Sequence, residues 1–281
     1  MSTTRYTYEP FVESVLCVAD FSHAGLSAFA HALTLAINAR GEFVLLQPGK
    51  PGKEWAQMPG VREMLEKWGY LEHGSNRGEV FDKLAVRVVK VQVADAYKGV
   101  IEVLQRRSVD LVVVPSEPHG DLVSLLKPST AEKIAHETRT MTLFVPSKGK
   151  GFVSVDKGEL KLKNILIPVN SEPNPRPAIT YAMRSALFSS EEMIHLHLLY
   201  VGDGPAPALR ETEKPYLTWH QLKRKGDPTE QILKAAEELD ADLIVMATRS
   251  GSGFFDSWRG SVPDKVVRRT KWPVLAVPLE E

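Results

Sequence analysis

Two successions of short apolar runs, separated by stretches of helical periodicity, occupy the two halves of the chain. This internal repeat restricts the fold more than any other feature. In the first half the runs are Val15-Leu16-Cys17-Val18-Ala19, Phe43-Val44-Leu45-Leu46, a third starting at Val86, Leu111-Val112-Val113-Val114, and Leu143-Phe144-Val145. In the second they are Ile165-Leu166-Ile167, Ile194 to Val201, Leu217 to Lys223, Leu243-Ile244-Val245-Met246, and Val274-Leu275-Ala276-Val277. Several are apolar at every position rather than at alternate ones, which suits strands buried on both faces of a parallel sheet. Between them, Leu26, Phe29, Ala30, Leu33 and Ile37 share one helical face, as do Val100, Ile101, Val103 and Leu104. Alternating strands and helices predict two tandem α/β domains, each a five-stranded, Rossmann-like parallel sheet covered by helices on both faces.

The register between the halves locates a difference. Asp20 aligns with Asn170 at an offset of 150, whereas Asp110-Leu111 aligns with Asp242-Leu243, and Val145-Pro146 with Val277-Pro278, at 132. The first half therefore holds 18 extra residues before its last strands, and Gly49 to Met58 is the expected place for part of them. Ser147 to Gly151 reads as a flexible linker by composition. Phe152 to Leu162, alternating around Asp156-Lys157-Gly158-Glu159, reads as a small hairpin. The expected division is a first domain over 1–147, a linker and hairpin over 148–163, and a second domain over 164–281.

The 281 residues and 43% hydrophobic content suffice for two cores. Lys+Arg and Asp+Glu each total 35, which excludes a nucleic-acid binder that works through bulk positive charge. The basic cluster Lys265, Arg268, Arg269 and Lys271 reads as cations at a helix C-terminus. A lone cysteine, Cys17, allows no intrachain disulfide, and its apolar neighbours make it a small core residue. No apolar stretch approaches the ~18 residues that span a bilayer, and Met1 to Pro10 lacks the apolar segment of a secretory signal. A cytoplasmic protein with no membrane partner is expected.

Ligands of open parallel sheets bind beyond the carboxyl ends of the strands, here between the first and fourth strands of a half. After the strand ending at Met246 comes a loop of small residues, Ala247 to Gly260, and then Ser261-Val262-Pro263 opening a helix. Outward-pointing N–H groups and the positive helix end make such a loop an anion site in principle, and Ser261 can cap the helix. A plain capped helix start with a glycine turn fits the same residues.

This segment resembles the universal stress protein family, whose nucleotide-binding members carry G-x-x-G, nine residues, then G-S or G-T. The equivalent here is Ala247-x-x-Ser250, nine residues, then Gly260-Ser261. Gly226-Asp227-Pro228, Ala241 to Met246, Pro273 to Pro278 and Val18 to Ser22 are similar too, so the resemblance covers nearly the whole chain. It implies an adenine nucleotide alpha-hydrolase-like fold for both domains and antiparallel pairing of their last strands, a covalent version of the family's dimer. Self-association of the whole chain stays open.

The resemblance also implies that the two halves differ at the ligand. Pro115, Pro118 and Pro128 stand where the first half would need the three loop glycines, and each lacks an N–H. Asp20 keeps the family's adenosine-contacting carboxylate beside that broken cradle, while Asn170 replaces it beside the better-kept one. The implied nucleotide site, for ATP or AMP with magnesium, is therefore in the second half alone: Pro168, Asn170, Val201, Ala247, Ser250, Gly260, Ser261 and Val262. Arg249 and Arg259 could add charge.

Other clusters yield less. His195 and His197 share a strand face but lack a completing ligand set, so a structural role is expected. His119, His136 and His220 have no ligand-like spacing. Asp95, Glu102, Glu230, Glu237 and Glu238 suit a solvated, ion-paired face. Hydrolase and phosphate-loop signatures such as G-x-S-x-G and G-x-x-x-x-G-K-[ST] do not occur, so no catalytic residue is assigned. Two functions lead: a non-enzymatic stress-response protein with one nucleotide or phosphate site, or a ligand-free module that displays surfaces, its aromatic Phe254, Phe255 and Trp258 included, to a protein partner. A third, weak ATP hydrolysis, has no metal-holding carboxylate or water-positioning group that can be assigned to it.

Overall fold

The computed structural model describes residues 12–18, 23–48, 60–116, 140–146, 149–189, 191, 193–209, 213–249 and 260–279. The first half contains β1 (Ser14–Val18), α1 (His23–Ala39), β2 (Glu42–Pro48), α2 (Val61–Lys67), α3 (Arg77–Leu84), β3 (Arg87–Val93), α4 (Ala96–Arg106), β4 (Leu111–Ser116) and β5 (Met141–Pro146). The second contains β6 (Asn164–Val169), α5 (Arg176–Ala186), β7 (Ile194–Val201), β8 (Leu217–Arg224), α6 (Pro228–Glu238), β9 (Leu243–Thr248), α7 (Val262–Arg269) and β10 (Val274–Pro278). The strands form one ten-stranded sheet in the order β3-β2-β1-β4-β5-β10-β9-β6-β7-β8. All pairs are parallel except β5 with β10, where Phe144 faces Val274 and Leu143 faces Leu275. The last strand of each half thus covers the edge of the other.

Strand alternation divides the core between the two faces. Val15, Cys17, Val113, Leu143, Ile165, Ile167, Val245 and Leu275 pack with Phe29 and Leu33 of α1 and with Ala178 and Ala182 of α5. Leu16, Val44, Val112, Leu166, Ile244 and Met246 pack with Val100 of α4, Ile232 and Ala235 of α6, and Val266 of α7. Cys17 is fully buried on the first of these faces, and burial pushes its thiol pKa far up, so it remains a protonated apolar filler.

One device occurs in both halves. The Asp110 carboxylate accepts from the backbone N–H groups of Glu13 and Ser14 at 2.7 and 2.9 Å. That of Asp242 accepts from Lys163 and Asn164 at the same two distances, 2.7 and 2.9 Å. Each carboxylate ties the start of a half's fourth strand to the start of its first.

The halves differ between their second and third strands. The first half carries α2 and α3 there, and the described residues between β7 and β8 form no helix. Val61, Met64 and Leu65 bury one face of α2. Asn76 caps α3, its side chain accepting from Gly78 and Glu79 while Glu79 accepts back from the Asn76 N–H. Residues 49–59, the expected place of part of the insertion, lie outside the described residues.

The joining segment behaves differently from its composition. Gly149 lies so close to the Lys271 carbonyl that a Cβ there would stand 2.0 Å from its oxygen. Lys150 Nζ meets Asp240 at 2.8 Å and Asp242 at 2.9 Å. The chain then turns to the first half, where His31 Nε2 accepts from the N–H groups of Phe152 (3.1 Å) and Val153 (3.3 Å). Trp68 Nε1 donates to the Val155 carbonyl at 3.0 Å, and a single antiparallel bridge, Val153 with Leu160, closes the expected hairpin. Gly149 to Leu162 is a strap seated on both halves; Ser147 and Lys148 lie outside the described residues.

Candidate functional site

β6 and β9 are paired only at Ile165–Leu243 and Leu166–Ile244. Beyond that register their carboxyl ends part, and a cavity of about 330 Å³ opens between them, of the size that small-molecule sites have. Its floor and walls are Pro168, Val169, Leu199, Val201, Pro228, Ile232, Met246 and Ala247; Val262 and Pro263 close it from α7. Polar groups gather at the rim: Asn170, Glu172, Thr248, Arg249 and Ser261.

Of the residues expected from the sequence, Pro168, Asn170, Val201, Ala247, Ser261 and Val262 line this one cavity. They come from β6, β7, β9 and the first turn of α7, and only the strand order brings them together. Gly260 stands at the turn just before α7 and is not among the lining residues. Ser250 and Arg259 lie outside the described residues, as do Phe254, Phe255 and Trp258. So do Asp20, Pro118 and Pro128 of the first half. Pro115 is within β4, paired with Val145.

The start of α7 shows why its residues take the form they do. Gly260 has φ +82°, a left-handed conformation that favours glycine, and a Cβ there would meet nothing within 4 Å. Ser261 is the N-cap, its Oγ accepting from the Asp264 N–H at 3.3 Å. Asp264, only 3% exposed, returns its carboxylate to the Gly260 N–H at 2.8 Å and pairs with Arg268 Nε at 2.6 Å. The helix start thus already holds an anion of the chain itself, in the place where the macrodipole favours one.

The sequence reading missed most of the apolar lining and Glu172. Leu199 with Val201 and Met246 with Thr248 each stand two residues apart, the spacing that puts side chains on one sheet face, and that signal was available. Glu172 had no such signal. Arg249, weighed as an added charge, bonds the Glu172 carboxylate at 2.7 Å across the rim.

Elsewhere, several charges of the expected ion-paired faces find specific partners. Arg269 meets Glu230 at 2.6 Å, Lys271 meets Glu237 at 2.8 Å, Arg224 meets Glu238, and Asp95 caps α4. His220, without ligand-like spacing in sequence, is brought beside His197 by the β7–β8 pairing, and the two rings stack with centroids 4.7 Å apart. His195 Nδ1 lies 3.1 Å from His220 Nε2. Burial, then the neighbouring imidazoles, push the His197 pKa down to about 4. Among the described residues no group of three or more His, Cys, Asp or Glu side chains is placed to hold a metal ion. No described helix is long and apolar enough to cross a membrane.

The model of the universal stress protein family matches residues 12–146 and 208–278, well over half of the chain. A universal stress protein of Methanothermobacter thermautotrophicus is 45% identical over 56 residues, 20% of this chain and 37% of that one. A second, from Methanocaldococcus jannaschii, is 35% identical over 74 residues, 25% of this chain and 44% of that one. The match thus spans less than half the length of these curated relatives. The crystal structure of a universal stress protein from Archaeoglobus fulgidus is similar over 95% of this chain and 98% of its own, with a TM-score of 0.61 at 15% identity; the likeness is one of fold.

Proposed function

The chain belongs to the universal stress protein family, and on that premise we propose that it is a non-enzymatic stress-response protein holding one adenine nucleotide, ATP or AMP with magnesium, in the cavity of its second half. The observation that carries the reading is the convergence of Pro168, Asn170, Val201, Ala247, Ser261 and Val262 on one crevice beyond the carboxyl ends of β6 and β9. The apolar walls suit a flat base, Asn170 offers a carbonyl oxygen and an amide to a ribose, and Ser261 and Arg249 stand on the side where phosphates would lie. Binding rather than chemistry is the activity, since no acid–base pair or nucleophile with a base faces the cavity among the described residues. One buried cysteine suits the reducing cytoplasm, where we place the protein.

Calorimetric titration of the full chain with ATP and AMP, magnesium present, tests this. Saturation near one per chain is expected, abolished by Gly260→Asp. That variant should fold, because the position is open and Asp is among the residues that tolerate a left-handed backbone. Saturation at two per chain would show that the first half binds despite Pro115. No heat at millimolar nucleotide would overturn the reading.

That last outcome would favour a protein-interaction module on the same scaffold. One observation speaks for it: the Gly260 N–H and the Arg249 guanidinium, groups that would receive a phosphate, are already bonded to Asp264 and Glu172.

A further inference from the structure

The rim of the second-half cavity is crossed by two opposite charges from loops distant in sequence. Glu172 follows β6 and Arg249 follows β9, the two strands whose parting makes the crevice, and their side chains meet at 2.7 Å. Both line the cavity, and they supply its acidic and its basic charge among the described lining residues. Both are also largely in water, with side chains 78% and 63% exposed. An ion pair so exposed is weak and exchanges easily with another anion. An anionic ligand reaching the rim therefore meets a cation whose field is cancelled and a carboxylate that repels it.

We infer that Glu172 is a specificity-determining residue: it competes with the ligand's phosphate for Arg249 and so sets how far the site prefers a nucleotide to the uncharged nucleoside. The inference rests on the nucleotide reading of the same cavity. It assigns discrimination by charge to the rim pair and recognition of the base and ribose to the apolar walls and Asn170.

The test compares adenosine with AMP on the full chain, in the wild type, Glu172→Gln and Arg249→Gln, by calorimetry. Glu172→Gln keeps the shape and an acceptor oxygen but removes the charge. It should tighten AMP about two- to five-fold, the fold-range of an exposed ion pair, and leave adenosine unchanged. Arg249→Gln should weaken AMP and spare adenosine, and the gain in Glu172→Gln should shrink at high salt. If AMP binds both the wild type and Glu172→Gln equally, or if adenosine tightens as much as AMP, the inference falls while the nucleotide reading stands. If neither ligand binds any of the three proteins, both fall.

Discussion

His31 illustrates what one side chain can be asked to do. It lies in α1, fully buried, with Nδ1 2.7 Å from the Ser27 carbonyl and Nε2 facing the Phe152 and Val153 N–H groups. Two donors on Nε2 require that nitrogen to accept, so the proton is on Nδ1 and the ring is neutral. Burial holds its pKa at about 4, below the free value of 6.5. Between those values the unfolded chain takes up a proton that the folded chain refuses. Stability is therefore complete above pH 6.5 and falls as pH drops toward 4, by on the order of 3 kcal/mol from this residue. His197, also near 4, acts in the same direction. Urea unfolding at pH 7 and pH 4.5 should show a smaller acid loss in His31→Gln than in the wild type, by about 2 kcal/mol. Equal losses in the two proteins would show that His31 is not the responsive group. The sequence revealed none of this: His31 is a lone histidine on an apolar helix face, and the two N–H groups that meet its Nε2 are 121 and 122 residues away.

At the scale of elements, the repeated aspartates govern how strands start. Asp110 and Asp242 align in the sequence repeat, and the structure explains the alignment by the two N–H groups that each receives. Replacing Asp242 by Ala strands two N–H groups and deprives Lys150 of one of its two carboxylates. It should cost about 3 kcal/mol, as loss of hydrogen bonds to a buried charge does. Asp110→Ala should cost less, because Asp110 is half-buried and water can reach its orphaned partners, whereas Asp242 is 6% exposed. Denaturation midpoints give the order directly; Asp110→Ala as the more harmful change would contradict the burial argument. The offsets between the halves give only the net surplus of the first half, not the helices α2 and α3 that fill the connection between β2 and β3, although Val61, Met64 and Leu65 have helical spacing and Asn76 with Glu79 forms a capping box.

At the scale of the whole molecule, ten strands make one sheet, and the β5–β10 seam is part of the core. Phe144 is 1% exposed and Leu275 2%, so the seam is as dry as either half. The strap over residues 149–162 adds polar ties to both sides. A single cooperative unfolding transition is expected. Phe144→Ala, at about 3–5 kcal/mol, should lower hydrogen-exchange protection in β1 and β6 together. Loss of protection in β1 alone would mean that the halves unfold independently and that the seam transmits nothing.

By itself the sequence determined the architecture. Apolar runs of strand length, helical faces between them and a repeated order leave few ways to bury so much surface except two parallel α/β units; that these join at their last strands followed from the family resemblance and is seen in the structure. Together with the family resemblance it also directs attention to the second half, since prolines at the first half's loop positions cannot offer the N–H groups that an anion needs. The tertiary structure alone decided what meets at the site. Glu172 reaches Arg249, Asp264 occupies the Gly260 N–H, and His220 comes beside His197, because strand order and loop course set those distances. Periodicity encodes which face of an element is buried; it carries no information about which side chain, tens of residues away, arrives on the other side.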